Sequence, residues 1–342
     1  MRRPRYPGKN PRAFHLKYKE LQPERYAADV QKVLQAGKTP AGMHRPIMVD
    51  ELLAALRPQP GELAVDCTLG FGGHARAVLE RLRPGGRLIG LDVDPLELPR
   101  TEARLRQAGF GADLFDTRRT NFAGLAQVLG EAAPAGADVI YADLGVSSMQ
   151  LDNPERGFTF KTDAPLDMRM NPTRGEPASA LLARISAATL AEILASNADE
   201  PLAEAIALRV AGHQHDTTRA LAHAVRVAVM AARPRGGLAA ADLAVRRVFQ
   251  AIRIAVNDEL SALDALLRAL PAGLAPGGRV AILTFHSGED RRVKKAFQAG
   301  RREGVYVDEG DDVVRATAEE VRANPRASSA KLRSARRPRA VP

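Results

Sequence analysis

The chain has 342 residues, 50 lysines and arginines against 40 acids, a net charge of +10 and a single cysteine, Cys67. That length is enough for a large core and two domains, one cysteine excludes a disulfide framework or a zinc knuckle, and no apolar run approaches the roughly 18 residues of a membrane span. The charge sits at the ends: residues 1–42 hold ten Lys/Arg and three acids, residues 322–342 hold seven and none, and the body between is close to neutral. Basic ends on such a body suit a polyanion such as nucleic acid, although basic tails also serve solubility alone.

Residues 1–42 mix Arg, Lys, Pro and Tyr around one short helical piece at 23–35, so a basic flexible arm is expected. The N-terminus lacks the apolar core of a signal peptide, and a reducing cytoplasm is the expected compartment. A helix over 48–56, with Asp50 as a candidate cap, leads into the stretch around which the chain is organised, Leu63 to Asp94. There a short apolar run ends on Asp66, Gly70-Phe71-Gly72-Gly73 turns the backbone, Ala75, Val78, Leu79 and Leu82 mark a helix, and a second apolar run ends on Asp92.

Ligands of an open α/β sheet bind outside the carboxyl ends of its strands, so Asp66, Asp92 and the loop glycines Gly70, Gly72 and Gly73 are expected to share a crevice. Gly70-x-Gly72-x-x-Ala75 formally fits a dinucleotide fingerprint. Asp66 opposes that reading, because a carboxylate inside the loop repels a pyrophosphate and suits an ammonium or sulfonium. Asp92, 26 residues beyond Asp66, suits the two hydroxyls of a ribose. S-adenosyl-L-methionine is therefore favoured over a nicotinamide dinucleotide, with His74 placed to meet it.

A helix over 96–107, a weak strand over 113–116 and a helix opened by Asn121-Phe122 follow, then a fourth strand over 138–143, again ending on an acid. This alternation predicts a doubly wound, mostly parallel sheet. Asp143, with the hydroxyls of Ser147 and Ser148, is the candidate for binding an acceptor N–H, since a base-conjugated amine needs its lone pair drawn toward the methyl donor. The serines are equally suited to capping the next turn.

Alternation stops after Gln150. Residues 151–176 read as a long loop in which Arg156, Phe158, Phe160 and Lys161 interleave cations and rings, a pattern for unpaired bases that also suits minor core. Asp167 and Arg169 suit either a closing loop or a structural pair. Residues 178–245 are Ala/Leu-rich and read as an inserted helical domain, one helix is expected over 245–270, and a fifth strand over 279–285 brings His286 to the crevice edge. The expected division is a basic arm 1–42, a first part 43–150, the insert 151–245, a second part 246–300 and a basic C-terminal segment 301–342.

The assembled stretches HRPIMVDELL, DCTLGFGGHARAVL, LIGLDVDP, YADLGVSSMQLDNPERGFTF, DAPLDMRMNPTRG, RVFQAIRIAVNDEL, PGGRVAILTFHSGEDRRVK and NPRASSAKLR span residues 44–333. They closely resemble the bacterial RsmH (MraW) family, which N4-methylates a cytidine of 16S ribosomal RNA in the decoding centre. The resemblance implies a class I, Rossmann-like methyltransferase fold with a helical insert. It implies S-adenosyl-L-methionine as cofactor, held by Gly72, Gly73, His74, Asp92, Phe122, Asp143 and Gln150. It also implies 16S rRNA within the small ribosomal subunit or its precursor as partner, with neither membrane nor metal. Met149, Gly288 and the stretch 197–200 depart from the family's usual residues. A different acceptor and a non-catalytic RNA-binding or assembly role are the competing readings.

Overall fold

The computed structural model describes residues 46–233, 237–307 and 313–340. The predicted arm 1–42 and its helix over 23–35 lie outside the described residues. From Ile47 onward the described chain belongs to one compact unit.

Its frame is a seven-stranded sheet in the order β3-β2-β1-β4-β5-β7-β6. The first five strands are β1 (Leu63–Asp66), β2 (Arg87–Asp92), β3 (Phe115–Arg119), β4 (Ala137–Asp143) and β5 (Leu274–Thr284). They are parallel, and the strand order turns around β1, where chain order reverses between β2 and β4. Asp66 pairs in register with Gly90 on one side and Tyr141 on the other, so three strands end together at that switch point.

Apolar runs form these strands because both faces are covered. One face packs Leu52, Leu56, Val78, Leu79 and Leu88, and the other packs Val65, Ile89, Ile140, Leu266 and Ile282. Helix α1 (Val49–Leu56) begins without a side-chain cap. Asp50 lies in its first turn, and the Met48 N–H instead donates to Glu320 Oε1 at 2.8 Å, from the far end of the chain.

The basic C-terminal segment completes the sheet. Strand β7 (Lys331–Arg336) pairs antiparallel with β5 from Arg279↔Arg336 to Thr284↔Lys331, and β6 (Val314–Arg315) closes the edge. Leu332 and Ala335 are buried in the core, and Arg333 and Lys331 both bond Asp290 at 2.7 Å.

The insert has its own core, led by Leu182, Leu194, Ile206, Leu221, Val225, Val248 and Ile252. The helix expected over 245–270 is two helices, Gly237–Asn257 and Glu259–Gly273, broken where Asp258 adopts φ 49°. The first packs in the insert and the second against the sheet, so the chain leaves the insert near residue 258. A continuous apolar stripe hid the break, because both halves are amphipathic.

Candidate active site

The crevice is built by the carboxyl ends of β1, β2 and β4. Beyond β1 the chain turns through Cys67–Gly72 into helix α2 (Gly73–Leu82). Gly70 (φ 48°) and Gly72 (φ 81°) are left-handed, and a Cβ on Gly72 would stand 2.8 Å from Thr101 Cγ2, so the loop must lie tight on helix α3 (Glu97–Gln107).

Five amides of the loop are engaged within the protein. Cys67 N–H donates to Tyr141 O, Leu69 N–H to Leu91 O and Gly72 N–H to Leu69 O, each at 2.8 Å. Thr68 N–H donates to Asp66 Oδ1 at 3.0 Å and Gly70 N–H to Asp92 Oδ2 at 2.8 Å. A pyrophosphate cradle needs such N–H groups free. With these five engaged, the loop before the helix offers a pyrophosphate few donors.

Acceptors line the crevice instead. Asp92 takes one backbone N–H on each oxygen, from Gly70 and from Asp94 (2.9 Å), and each oxygen keeps capacity for a hydroxyl. Burial pushes its carboxyl up to about 6 despite those bonds. Asp143 Oδ1 is buried without a partner among the described residues. Burial, reinforced by the negative charge of Glu289, pushes the Asp143 carboxyl up to about 7. The backbone N–H of Asp143 donates to Thr68 Oγ1 at 2.6 Å, which fastens β4 to the glycine loop. Asp66 is 1% exposed, its carboxyl pushed up to about 7 by burial, and the Tyr141 phenol faces it without a well-formed hydrogen bond.

His74 stands between these groups. Its Nδ1 is 3.6 Å from Asp143 Oδ2 and its Nε2 is 2.9 Å from the Ile47 carbonyl, while burial holds its pKa below the ordinary value. A neutral ring carries its proton on the nitrogen that donates to the Ile47 carbonyl, so His74 ties α2 to the chain before α1 and turns an unprotonated Nδ1 toward Asp143. The unpartnered Asp143 oxygen and the two Asp92 acceptors fit a cofactor carrying a ribose diol and a cationic centre.

The other expected site residues separate into two groups. Phe122 follows β3, half-buried in a short 3-10 turn capped by Asn121, at the crevice side of the sheet. Ser147 accepts from Gln150 N–H at 3.2 Å and Gln150 Oε1 accepts from Ser147 N–H at 3.0 Å, a reciprocal cap on the helix Ser148–Asp152. The Ser148 side chain lies outside the described residues. Gln150 Nε2 donates to Asp94 Oδ2 at 3.0 Å, so both ends of this amide are engaged inside the protein.

The interleaved loop turns inward. Arg156 is 8% exposed and donates to Asp94 Oδ2 (2.8 Å) and to the carbonyls of Arg169 and Met170. Phe158 belongs to the insert core, and Phe160 meets Phe249 edge to face with ring centroids 5.1 Å apart. Asp167 and Arg169 form a bidentate pair at 2.7 and 2.9 Å. Of this group Lys161 is exposed. The structure thus buries Arg156 and Phe158 and packs Phe160 against the insert, while the Asp167–Arg169 pair stays partly exposed, and alternating spacing alone could not tell these fates apart.

His286 reaches the crevice edge and lies against Glu289, Nε2 to Oε1 3.1 Å. Glu289 is buried and accepts from Phe285 N–H at 2.8 Å. Burial would raise its carboxyl, but the hydrogen bond and charge of His286 outweigh this and hold it below the usual range. Sequence reasoning passed over Glu289, Thr68 and Asp94. The acid three residues after His286, at the start of a helix, was the available signal for the first. Asp94 before Pro95 was the signal for the last, since its Oδ1 accepts from Leu96 N–H at 2.9 Å. Among the described residues no group of His, Cys, Asp and Glu could hold a metal, and no helix is long and apolar enough to cross a membrane.

A doubly wound, mostly parallel sheet with a glycine loop and acids at three adjoining strand ends is the architecture of a class I methyltransferase. The particular family follows from the sequence: the model of the MraW methylase family matches residues 41–338, and the chain belongs to that family. Relatives include "Ribosomal RNA small subunit methyltransferase H 1" of Lachnoclostridium phytofermentans, 47% identical over 97% of this chain and 92% of that one. "Ribosomal RNA small subunit methyltransferase H 2" of Alkaliphilus metalliredigens is 48% identical over 97% and 96% of the two chains. A solved RNA methyltransferase from Salinibacter ruber, in complex with S-adenosyl-L-homocysteine, is 14% identical with a TM-score of 0.34, over 86% of this chain and 93% of that one.

Proposed function

We infer that the protein methylates the exocyclic N4 amine of a cytidine in the decoding centre of 16S ribosomal RNA, in the cytoplasm, with S-adenosyl-L-methionine as donor. Membership of the MraW methylase family and relatives named as small-subunit ribosomal RNA methyltransferases support this reading. The single observation that carries the chemistry is the unpartnered Asp143 Oδ1 at the end of β4.

When bound, the cofactor supplies an electrophilic methyl on a sulfonium. The chain does the rest. Asp92 accepts the ribose hydroxyls, and the acids of the crevice favour a cationic ligand. A cytosine amine is a poor nucleophile because its lone pair is delocalised into the ring. Asp143 accepts an amine N–H, so that the lone pair is directed to the methyl and the released proton has an acceptor whose affinity lies near neutrality. Thr68 holds the backbone of Asp143 in place. The target base must leave its stack to reach this depth.

The test is transfer of labelled methyl to small ribosomal subunits from cells lacking the protein, with the product nucleoside identified by mass. N4-methylcytidine at one position, lost in Asp143→Ala, is the expected result. Cofactor binding with no transfer to subunits or to their RNA would overturn the reading.

A further inference from the structure

With the interleaved loop turned inward, the RNA strand needs another surface. Helix Ser287–Arg302 begins at the crevice edge, directly after His286. Its inner side is fixed by buried Val293 and Phe297, the latter edge to face with Tyr306 at 5.6 Å, and by Gly300, where a Cβ would strike the Tyr306 ring. Arg291, Lys294, Lys295 and Arg302 are consequently exposed. At about 100° per residue, Arg291, Lys295 and Arg302 fall within a strip of about 40°, with Lys294 alongside, and the strip runs about 16 Å from the crevice end.

These cations have no acidic partner among the described residues. On the other sheet helices Arg76 pairs with Glu80, Arg100 with Glu97 and Arg106 with Glu102, and the exposed Arg81 and Arg268 that have no acidic partner among the described residues stand singly rather than in a strip. On Ser287–Arg302 the two acids are withdrawn instead. Glu289 is buried against His286, and Asp290 is turned to Lys331 and Arg333. The face is left with like charges at helical spacing, which costs folding energy and returns none unless a polyanion covers it.

The geometry points to this strip as the track for the RNA backbone leading to the nucleotide held in the crevice. The inference rests on the reading of the protein as a ribosomal RNA methyltransferase and adds the surface that docks the strand. Lysine and arginine on a convex helix hold phosphates without reading sequence.

The experiment compares the full chain with Arg291→Ala/Lys295→Ala/Arg302→Ala, by binding to 16S RNA across a salt series and by methyl transfer to small subunits. For three lost phosphate contacts on a single strand, the slope of log K against log salt becomes shallower by about 2. RNA affinity at low salt falls at least tenfold and KM rises, while kcat at saturation and cofactor affinity stay unchanged. Arg76→Ala, a paired arginine, leaves the slope as it was. An unchanged slope in a folded triple variant overturns the inference. So does a loss confined to subunits with naked RNA binding intact, which would make the partner a ribosomal protein. If the triple variant unfolds, Lys295→Glu alone is read on the same axes. Wild-type protein that binds RNA and cofactor but transfers no methyl would overturn the proposed function and leave the strip standing.

Discussion

Arg156 Nη1 lies 2.8 Å from Asp94 Oδ2, with the two side chains 8% and 1% exposed. The pair joins the loop after β4 to the loop after β2, and Gln150 completes it by donating to the same Asp94 oxygen. It stands directly behind Asp92 and the helix that follows Asp143. The insert therefore reaches the crevice through a buried charge pair rather than through apolar packing alone. Such a pair adds little over an apolar substitute, but breaking it leaves an unmatched charge in the interior.

Arg156→Ala is accordingly expected to lower the unfolding free energy by about 3–5 kcal/mol. Chemical denaturation measures this. The salt dependence of RNA binding by the folded fraction should match the parent, because Arg156 is spent on Asp94 and two carbonyls. A shallower slope would return Arg156 to the phosphates.

Asp143 and the stability of the free protein should respond to pH in opposite senses. With Asp143 as the proposed proton acceptor, kcat should rise through about pH 7 and level off above it. Asp66, Asp92 and Asp143 hold their protons to about 7, 6 and 7, whereas in the unfolded chain they ionise near the ordinary carboxylate value of 3.8. Between those limits the native state binds more protons, so stability falls as pH rises from about 4 to about 7. Melting temperatures across that range, without cofactor, test the sign. Asp66→Asn should flatten the dependence.

In the proposed mechanism Glu289 acts on the reaction through Asp143. Its negative charge raises the Asp143 carboxyl, so Glu289→Gln should move the kcat profile toward lower pH. A variant that lost activity with an unmoved profile would reduce Glu289 to a helix cap.

Asp92→Ala removes the acceptor proposed for the ribose and leaves the Gly70 and Asp94 amides unpaired. Cofactor binding should weaken by about 1.5–3 kcal/mol, roughly ten- to a hundred-fold, as read by calorimetry. RNA affinity measured without cofactor should be unchanged.

Truncation before residue 330 removes β7 and bares the β5 edge along with the pocket of Leu332. The shortened chain is expected to be insoluble or unfolded, because an exposed apolar edge invites pairing with other chains. A soluble, cooperatively folding truncate would show that the basic tail is an appendage.

The strands, the glycine loop and the three terminal acids were legible in the sequence because each depends on local chemistry. Apolar runs covered on both faces, glycines at φ above zero, and acids at fixed offsets from strand ends all leave a one-dimensional trace. The family motifs carried the rest of the identity, from GGH to FHS-x-EDR. What local pattern could not decide was which polar groups meet. Asp94 and Arg156 are 62 residues apart, Met48 and Glu320 272. Arg156 and Phe158 carry the same alternation whether they face RNA or core, and Arg291 and Lys295 sit in a run of charges like any other. Their fates differ because burial is fixed by distant elements: the insert closes over one loop, while nothing described packs on the outer face of the other helix. Sequence determined the fold and the cofactor chemistry, and tertiary packing decided which cations remain free for a polyanion.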